Sequence, residues 1–324
     1  MKIHILDDWL DTLRTLPGFQ RLDGHDVTVW TDHVEDVDVL AERLQDAEAL
    51  VLFRERSRIG EALVSKLPKL RLISQRGAYP HVDVEALNRH GILLCSKKPA
   101  GGVNYATTEL TWALILAAIR QLPQQMAALQ AGEWQTAVGS TLHGKTLGVY
   151  GYGRIGRAVA EIGRAFGMEV LCWGSEAGRD RARQAGEAVS SSREAFFASV
   201  DVLTLHQRLV PETRAGISAA DLATMKPASV LVNTARSELI EKGALYTALI
   251  AGRPGGAGID VFDNEPVGVG TEPLLTLPMV VATPHLGYVT REEFDLQFSD
   301  IYEQINAYAE GDPIHMINPE VIDR

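Results

Sequence analysis

Residues 146–160, Thr-Leu-Gly-Val-Tyr-Gly-Tyr-Gly-Arg-Ile-Gly-Arg-Ala-Val-Ala, constrain the fold more than any other part of the chain. An apolar strand runs into a G-x-G-x-x-G turn and then into the first turns of an Ala- and Val-rich helix. Each glycine answers a separate steric demand. Gly151 permits the tight exit from the strand, Gly153 lets backbone approach a pyrophosphate, and Gly156 lets helix and strand pack closely. The N-terminus of the helix then offers unpaired N–H groups and a positive dipole end to phosphate. Flanked by strand and helix on the correct sides, the turn reads as a dinucleotide site.

Short apolar runs alternate with helical patterns on both sides of this turn. Strands are expected at 3–6, 27–30, 49–53, 70–74 and 92–95 before it, and at 170–173, 202–206, 230–233, 258–261 and 280–283 after it. Runs this short and this apolar suit strands buried on both faces, so the expected class is α/β with two doubly wound parallel sheets. A polar, Pro/Gly-rich break at 97–102 marks a boundary near residue 100. The helical pattern starting at Thr107 is apolar on nearly every side and needs cover from another domain or a second subunit. A late helix over 294–309 carries Phe298, Ile301, Ile305 and Tyr308 on one face and should return to the first domain. The expected division is 1–99 with 287–324 as one discontinuous domain, and 100–286 as a Rossmann domain inserted into it.

Composition narrows the partners. The 324 residues carry a formal net charge of -11, which argues against a nucleic acid. No apolar run nears the roughly 18 residues that would cross a bilayer, and Lys2 to Leu6 reads as a strand rather than a leader. Cys95 and Cys172 sit inside apolar strands, as buried free thiols of a reducing compartment do; no metal site is expected. A cytoplasmic location follows from these features.

Three further segments suggest chemistry. Arg236 directly follows a buried strand in Leu231-Val-Asn-Thr-Ala-Arg-Ser-Glu, where its forked donors suit a carboxylate or simply a surface ion pair. Asp260 stands at the C-terminal end of the strand beginning at Gly258, and Glu265 in the loop that follows. His285 stands in a stiff Thr-Pro-His turn at another strand end; beside a carboxylate it makes a proton shuttle, alone a structural histidine. Ligand sites in open α/β sheets lie outside the carboxyl ends of the strands, where all three segments fall.

With these motifs in order, the chain resembles the D-isomer-specific 2-hydroxyacid dehydrogenases over nearly all its length. The densest likeness runs from Gly144-Lys-Thr-Leu-Gly through Pro211-Glu-Thr-Arg, Met225-Lys-Pro and Asn233-Thr-Ala-Arg to Thr283-Pro-His-Leu-Gly. The resemblance implies two Rossmann-like domains, the substrate domain being flavodoxin-like, and hydride transfer between a nicotinamide cofactor and a small D-2-hydroxy or 2-oxo acid. It assigns Arg236 to the substrate carboxylate and carbonyl, His285 to proton transfer and Glu265 to the support of the imidazolium. Cofactor contacts would come from Thr107, Gly151, Gly153, Arg154, Ile155, Gly156, Gly174, Ser175, His206, Thr234, Ala235, Asp260 and Gly287. Backbone N–H groups at Arg76, Gly77 and Ala78 would hold the other side of the carboxylate.

Two departures stand out. Tyr79-Pro-His81 replaces the second glycine of the usual carboxylate turn, leaving room for a bulkier or charged substrate tail, with His81 either lining the pocket or facing solvent. Gly174 occupies the slot where NAD-preferring folds place an acid for the ribose 2′-OH. With Ser175 beside it and Arg179 and Arg181 downstream, NADP becomes acceptable, unless Glu176 supplies the acid. A 3-phosphoglycerate dehydrogenase without a regulatory domain is the alternative within the family; a dinucleotide-sensing corepressor-like binding protein is the alternative outside catalysis. A formate dehydrogenase is disfavoured because glutamine stands there in place of Glu265. A homodimer is expected from the apolar helix at Thr107.

Overall fold

The computed structural model describes residues 1–98 and 105–322; most of the break read at 97–102 therefore lies outside the described residues. The chain forms two compact units, Met1–Gly101 with Thr290–Arg324, and Gly102–Val289. The first contains, in chain order, β1 (Lys2–Ile5), β2 (Asp26–Val29), α1 (Val37–Arg43), β3 (Ala49–Val51), α2 (Glu61–Val64), β4 (Leu72–Arg76), α3 (Val84–His90) and β5 (Leu93–Lys97). The second contains α4 (Tyr105–Arg120), α5 (Leu122–Gln130), β6 (Thr146–Tyr150), α6 (Arg154–Ala165), β7 (Glu169–Trp173), α7 (Glu176–Gln184), β8 (Ala188–Val189), α8 (Arg193–Ser199), β9 (Val202–Leu205), α9 (Ala219–Thr224), β10 (Val230–Asn233), α10 (Ala244–Ile250), β11 (Gly256–Ile259) and β12 (Val280–Ala282). α11 (Arg291–Ala309) belongs to the first unit.

Both sheets are wholly parallel, as the two-sided apolar strands require. The first has the order β2-β1-β3-β4-β5; the second has the order β12-β11-β10-β9-β6-β7-β8. The order of the second reverses between β6 and β9, so the turn after β6 opens at the switch point, where such sheets bind ligands.

α11 shows how the chain's last part is held. Thr290 caps it by accepting from Glu293 N, and Phe294, Phe298, Ile301, Tyr302 and Ile305 are buried within the first unit. Each such side chain stabilises its burial by roughly 1.5–3 kcal/mol relative to exposure. Tyr302, rather than Tyr308, completes the apolar face.

α4 corrects one expectation. Its own unit covers it: it packs on β10, β11, β12 and α6, with Thr107, Thr108, Thr111, Trp112, Leu114, Ile115 and Ile119 buried. Leu110, Leu116, Ala117 and Ala118 are half-buried against the same cluster. An apolar helix laid across a parallel sheet finds cover on several sides at once, so its composition alone demands no second subunit.

Candidate active site

The glycine turn fits its reading sterically. Gly151 has φ of 108°, and a Cβ there would meet Gln207 N at 2.8 Å. A Cβ on Gly156 would lie 2.2 Å from Gly151 O, which backbone cannot yield. Gly153 has nothing within 4 Å of its virtual Cβ, so space opens on that side of the turn. Gly153 is also the N-cap of α6 and provides no capping side chain. The first-turn N–H groups of a helix have no intrahelical acceptor, and at the start of this twelve-residue helix a phosphate suits them in charge and shape.

At the end of β7, Gly174 has φ of 137°, and a Cβ would crowd Gln207 Nε2 at 3.2 Å and Gly151 N at 3.3 Å. An acidic side chain is therefore strained at this slot. Ser175 caps α7, accepting from Gly178 N at 3.3 Å. The Arg179 guanidinium lies over the Trp173 ring at 4.5 Å, and its Nε is enclosed without a partner. Arg181 donates to Tyr152 O. At the end of β9, the His206 ring has an enclosed Nε2 with no partner, and burial pushes its pKa down to about 3. A neutral ring with an unmet nitrogen fits a site that a ligand completes.

The ends of β10, β11 and β12 bring the three predicted chemical segments together. His285 Nδ1 lies 2.6 Å from Glu265 Oε2, and Glu265 Oε1 accepts from Phe262 N at 2.9 Å. Burial alone would raise the Glu265 pKa. The hydrogen bond and charge of His285 outweigh it, helped by Phe262 N–H and Arg236, and hold the carboxyl below its ordinary value. The influence of Arg236 places its charge within electrostatic reach of the pair. Arg236 Nη1 donates to Ala235 O at 2.7 Å.

The backbone carrying His285 is held in an uncommon state, φ of 54°. Asp260 over-determines it from beneath. Its Oδ1 accepts from Thr283 Oγ1 (2.6 Å) and Leu286 N (2.7 Å), and its Oδ2 from Gly287 N (2.8 Å). Burial raises the Asp260 pKa against these three donors. Asp260 is fully buried, so what it does within this unit is pin the histidine turn. Thr107 Oγ1 donates to Gly287 O at 2.6 Å, fastening α4 to that turn, and Thr111 Oγ1 lies 2.8 Å from Thr234 Oγ1.

Asn233 was not singled out in the sequence. It is 2% exposed; its Nδ2 donates to Arg236 O and its Oδ1 accepts from Ala235 N, shaping the loop that presents the arginine. A lone amide closing a buried apolar strand was the available signal. In the first unit, the Arg76 guanidinium is bound by Asp300 at 2.7 Å, with Glu293 at 3.7 Å, and Gly77 N–H is spent on Lys97 O. His81 is half-buried, with both ring nitrogens enclosed and unpartnered, and burial lowers its pKa. Cys95 and Cys172 are free and buried, their thiols pushed up to about 12, which leaves them unreactive.

Residues 112–287 match the model of the D-isomer specific 2-hydroxyacid dehydrogenase NAD binding domain. A glyoxylate reductase of Aeropyrum pernix is 35% identical over 310 residues, covering 92% of this chain and 91% of that one. A D-3-phosphoglycerate dehydrogenase of Methanocaldococcus jannaschii is 37% identical over 276 residues, covering 84% of this chain. The chain spans only 52% of that longer relative. Among solved structures, a phosphoglycerate oxidoreductase from Vibrio cholerae superposes with a TM-score of 0.90 at 46% identity, covering 96% of this chain and 99% of that one. The site and these likenesses agree: the chain belongs to the D-isomer-specific 2-hydroxyacid dehydrogenase family, with a domain of the type that binds a nicotinamide dinucleotide. Among the described residues, no helix is long and apolar enough to cross a membrane.

Proposed function

We propose that this chain reduces a small 2-oxo acid to the D-2-hydroxy acid, and catalyses the reverse oxidation, with unit Gly102–Val289 as cofactor domain and the other unit as substrate domain. The observation that carries this reading is the His285–Glu265 pair at 2.6 Å on a turn pinned by Asp260. When bound, the nicotinamide cofactor supplies or accepts the hydride. Arg236 holds the substrate carboxylate and draws electron density from the C2 carbonyl, offsetting charge as it develops on oxygen. With Nδ1 engaged by Glu265, His285 Nε2 delivers the proton to that oxygen, and withdraws it in the reverse direction.

NADPH is accepted at least as well as NADH. The strained backbone at Gly174 keeps a repelling acid away, and Arg179, stacked on Trp173 with an unmet Nε, supplies positive charge beside the same strand end. Comparing kcat/KM for the two reductants tests this, and a preference for NADH of about a hundredfold sinks it. The protein works as a cytoplasmic homodimer. The surface that supports pairing is α5 and the segment after it, where Leu122, Met126, Leu129, Trp134 and Val138 are exposed. Glu133 is the single charge between 121 and 142, in a chain whose net charge otherwise repels its copy. A monomer by light scattering removes this part.

The deciding experiment follows loss of reduced cofactor across a panel of 2-oxo acids. The panel includes glyoxylate, hydroxypyruvate and the 2-oxo partner of D-3-phosphoglycerate, since relatives carry those names. Turnover of none of them would favour a binding protein over an enzyme.

A further inference from the structure

The end of β4 buries an unusual amount of polarity. Gln75 is 1% exposed, and its Oε1 has no partner. An amide placed so costs stability that an apolar side chain would not. Its Nε2 donates to Ser96 Oγ at 2.8 Å and to the carbonyl oxygens of Gly77 and Ala78, each at 3.3 Å. Ser96 Oγ donates to the same Gly77 carbonyl at 2.9 Å. Gln304 of α11 fixes the strand behind them, donating to Gln75 O at 3.0 Å and Ser74 Oγ at 2.8 Å.

These bonds determine where the turn's donors point. In a planar trans peptide the C=O of one residue and the N–H of the next face opposite ways. With the Gly77 and Ala78 carbonyls held inward, the N–H groups of Ala78 and Tyr79 are turned outward. Neither donates a hydrogen bond among the described residues, and Ala78 is exposed. Gly77, at φ of 94°, makes the bend, with its own N–H already bound to Lys97 O.

We infer that Gln75 is a positioning residue for the substrate: it aims the adjacent N–H groups of Ala78 and Tyr79 as a two-donor seat for the carboxylate of the 2-oxo acid. This rests on the reaction proposed above. It keeps the Ala78 donor and shifts the seat toward Tyr79, because the Gly77 N–H is committed to Lys97 O. Two adjacent N–H groups converging on one anion form a concave donor site, and bonds to a charged acceptor are the strong kind.

The test uses Gln75→Met, which keeps volume and removes the donors, and Ser96→Ala, which removes one of the two bonds to Gly77 O. KM for the 2-oxo acid and the Kd of oxalate by calorimetry are read alongside kcat, cofactor Kd and Tm. Gln75→Met is expected to raise KM and the oxalate Kd by about tenfold, the scale of a lost hydrogen bond to a charged group. It should change kcat by less than about threefold and leave cofactor Kd alone. Ser96→Ala moves the same two constants in the same direction by a smaller factor, and decides alone if Gln75→Met does not fold. Constants within about twofold of wild type in every folded variant overturn the inference, as does a wild type that binds no oxalate. A wild type that binds oxalate through Gln75 yet reduces no 2-oxo acid refutes the proposed reaction and leaves the seat standing.

Discussion

Two turns of this molecule end an inner parallel strand on a glycine with positive φ, yet they expose backbone donors by different physics. After β6, Gly151 bends at φ of 108° and feeds a twelve-residue helix whose N-cap Gly153 lacks a capping side chain. The donors there come from the helix itself, aligned and reinforced by its dipole. After β4, Gly77 bends at φ of 94°, but the helix that follows is sealed: Asp83 caps α3 by accepting from Ala86 N. The donors there come from two peptide planes rotated outward by Gln75 and Ser96. A helix end suits a doubly charged pyrophosphate, whereas two peptides suit a single carboxylate. If that division holds, damage to the seven-stranded unit reaches cofactor binding or kcat, whereas damage to the β4 turn is confined to substrate KM.

The largest effect should come from His285→Gln, a loss of kcat of roughly 100-fold or more, as removal of a general acid produces. KM should change little, the opposite of the split expected for Gln75→Met. Arg236→Ala should impair both constants, because its charge serves ground-state binding and the developing alkoxide. Steady-state kinetics on the three variants sharpens the comparison. A His285→Gln protein that lost only affinity would break it.

Two alanines probe the glycine turn itself. Gly156→Ala sets a Cβ 2.2 Å from Gly151 O and should destabilise by about 1–3 kcal/mol, the cost of forcing atoms into packed structure. Gly153→Ala meets nothing within 4 Å, so Tm should hold while the new methyl group takes up space left for phosphate. Cofactor Kd should then rise by about tenfold, a loss of about 1.4 kcal/mol. Thermal melts and cofactor titration separate the two, and unchanged cofactor binding in Gly153→Ala would mean the N-terminus of α6 is not the pyrophosphate seat.

The same contrast explains what the sequence made legible. Glycines required by a 2.2 Å approach admit no substitute, so the turn after β6 stands out in the bare chain. The ends of most strands were readable because short apolar runs give way there to polar residues, and Arg236, Glu265 and His285 stood out as candidates by their place in the loops just beyond such ends. β11 begins two residues before its expected start because Gly256 carries no apolar signal, and β8 leaves no trace in the sequence because it is two residues long amid polar residues. Gln75, Ser96 and Asn233 escaped because their work depends on which carbonyl or N–H lies within reach, and no spacing along the chain encodes that. The cover of α4 escaped similarly: composition shows that a helix must be buried, not by what.

Glu265→Gln should give the smallest effect, and its sign follows from the pair's geometry. Glu265 has a pKa below its ordinary 4.5, because the hydrogen bond and charge of His285 outweigh the desolvation of the carboxyl. It is therefore ionised near neutral pH, and an attraction that favours the carboxylate favours the imidazolium equally. Glutamine keeps the shape and removes the charge. Reduction, which needs the protonated ring, should then fade at a lower pH than in wild type, and oxidation, which needs the neutral ring, should persist to lower pH. Both side chains are about a third exposed, at 27% and 32%, so solvent screening keeps the displacement small. Stability offers a second reading of the same charge. A carboxyl whose folded pKa is depressed contributes stability that is present above 4.5 and lost as pH falls through its folded value. Wild type should therefore unfold at higher denaturant than Glu265→Gln at neutral pH, and the two curves should converge in acid. If the pH–rate profile stays in place while His285→Gln remains active, the pair only braces the turn, and the division of chemistry between the two units falls with it.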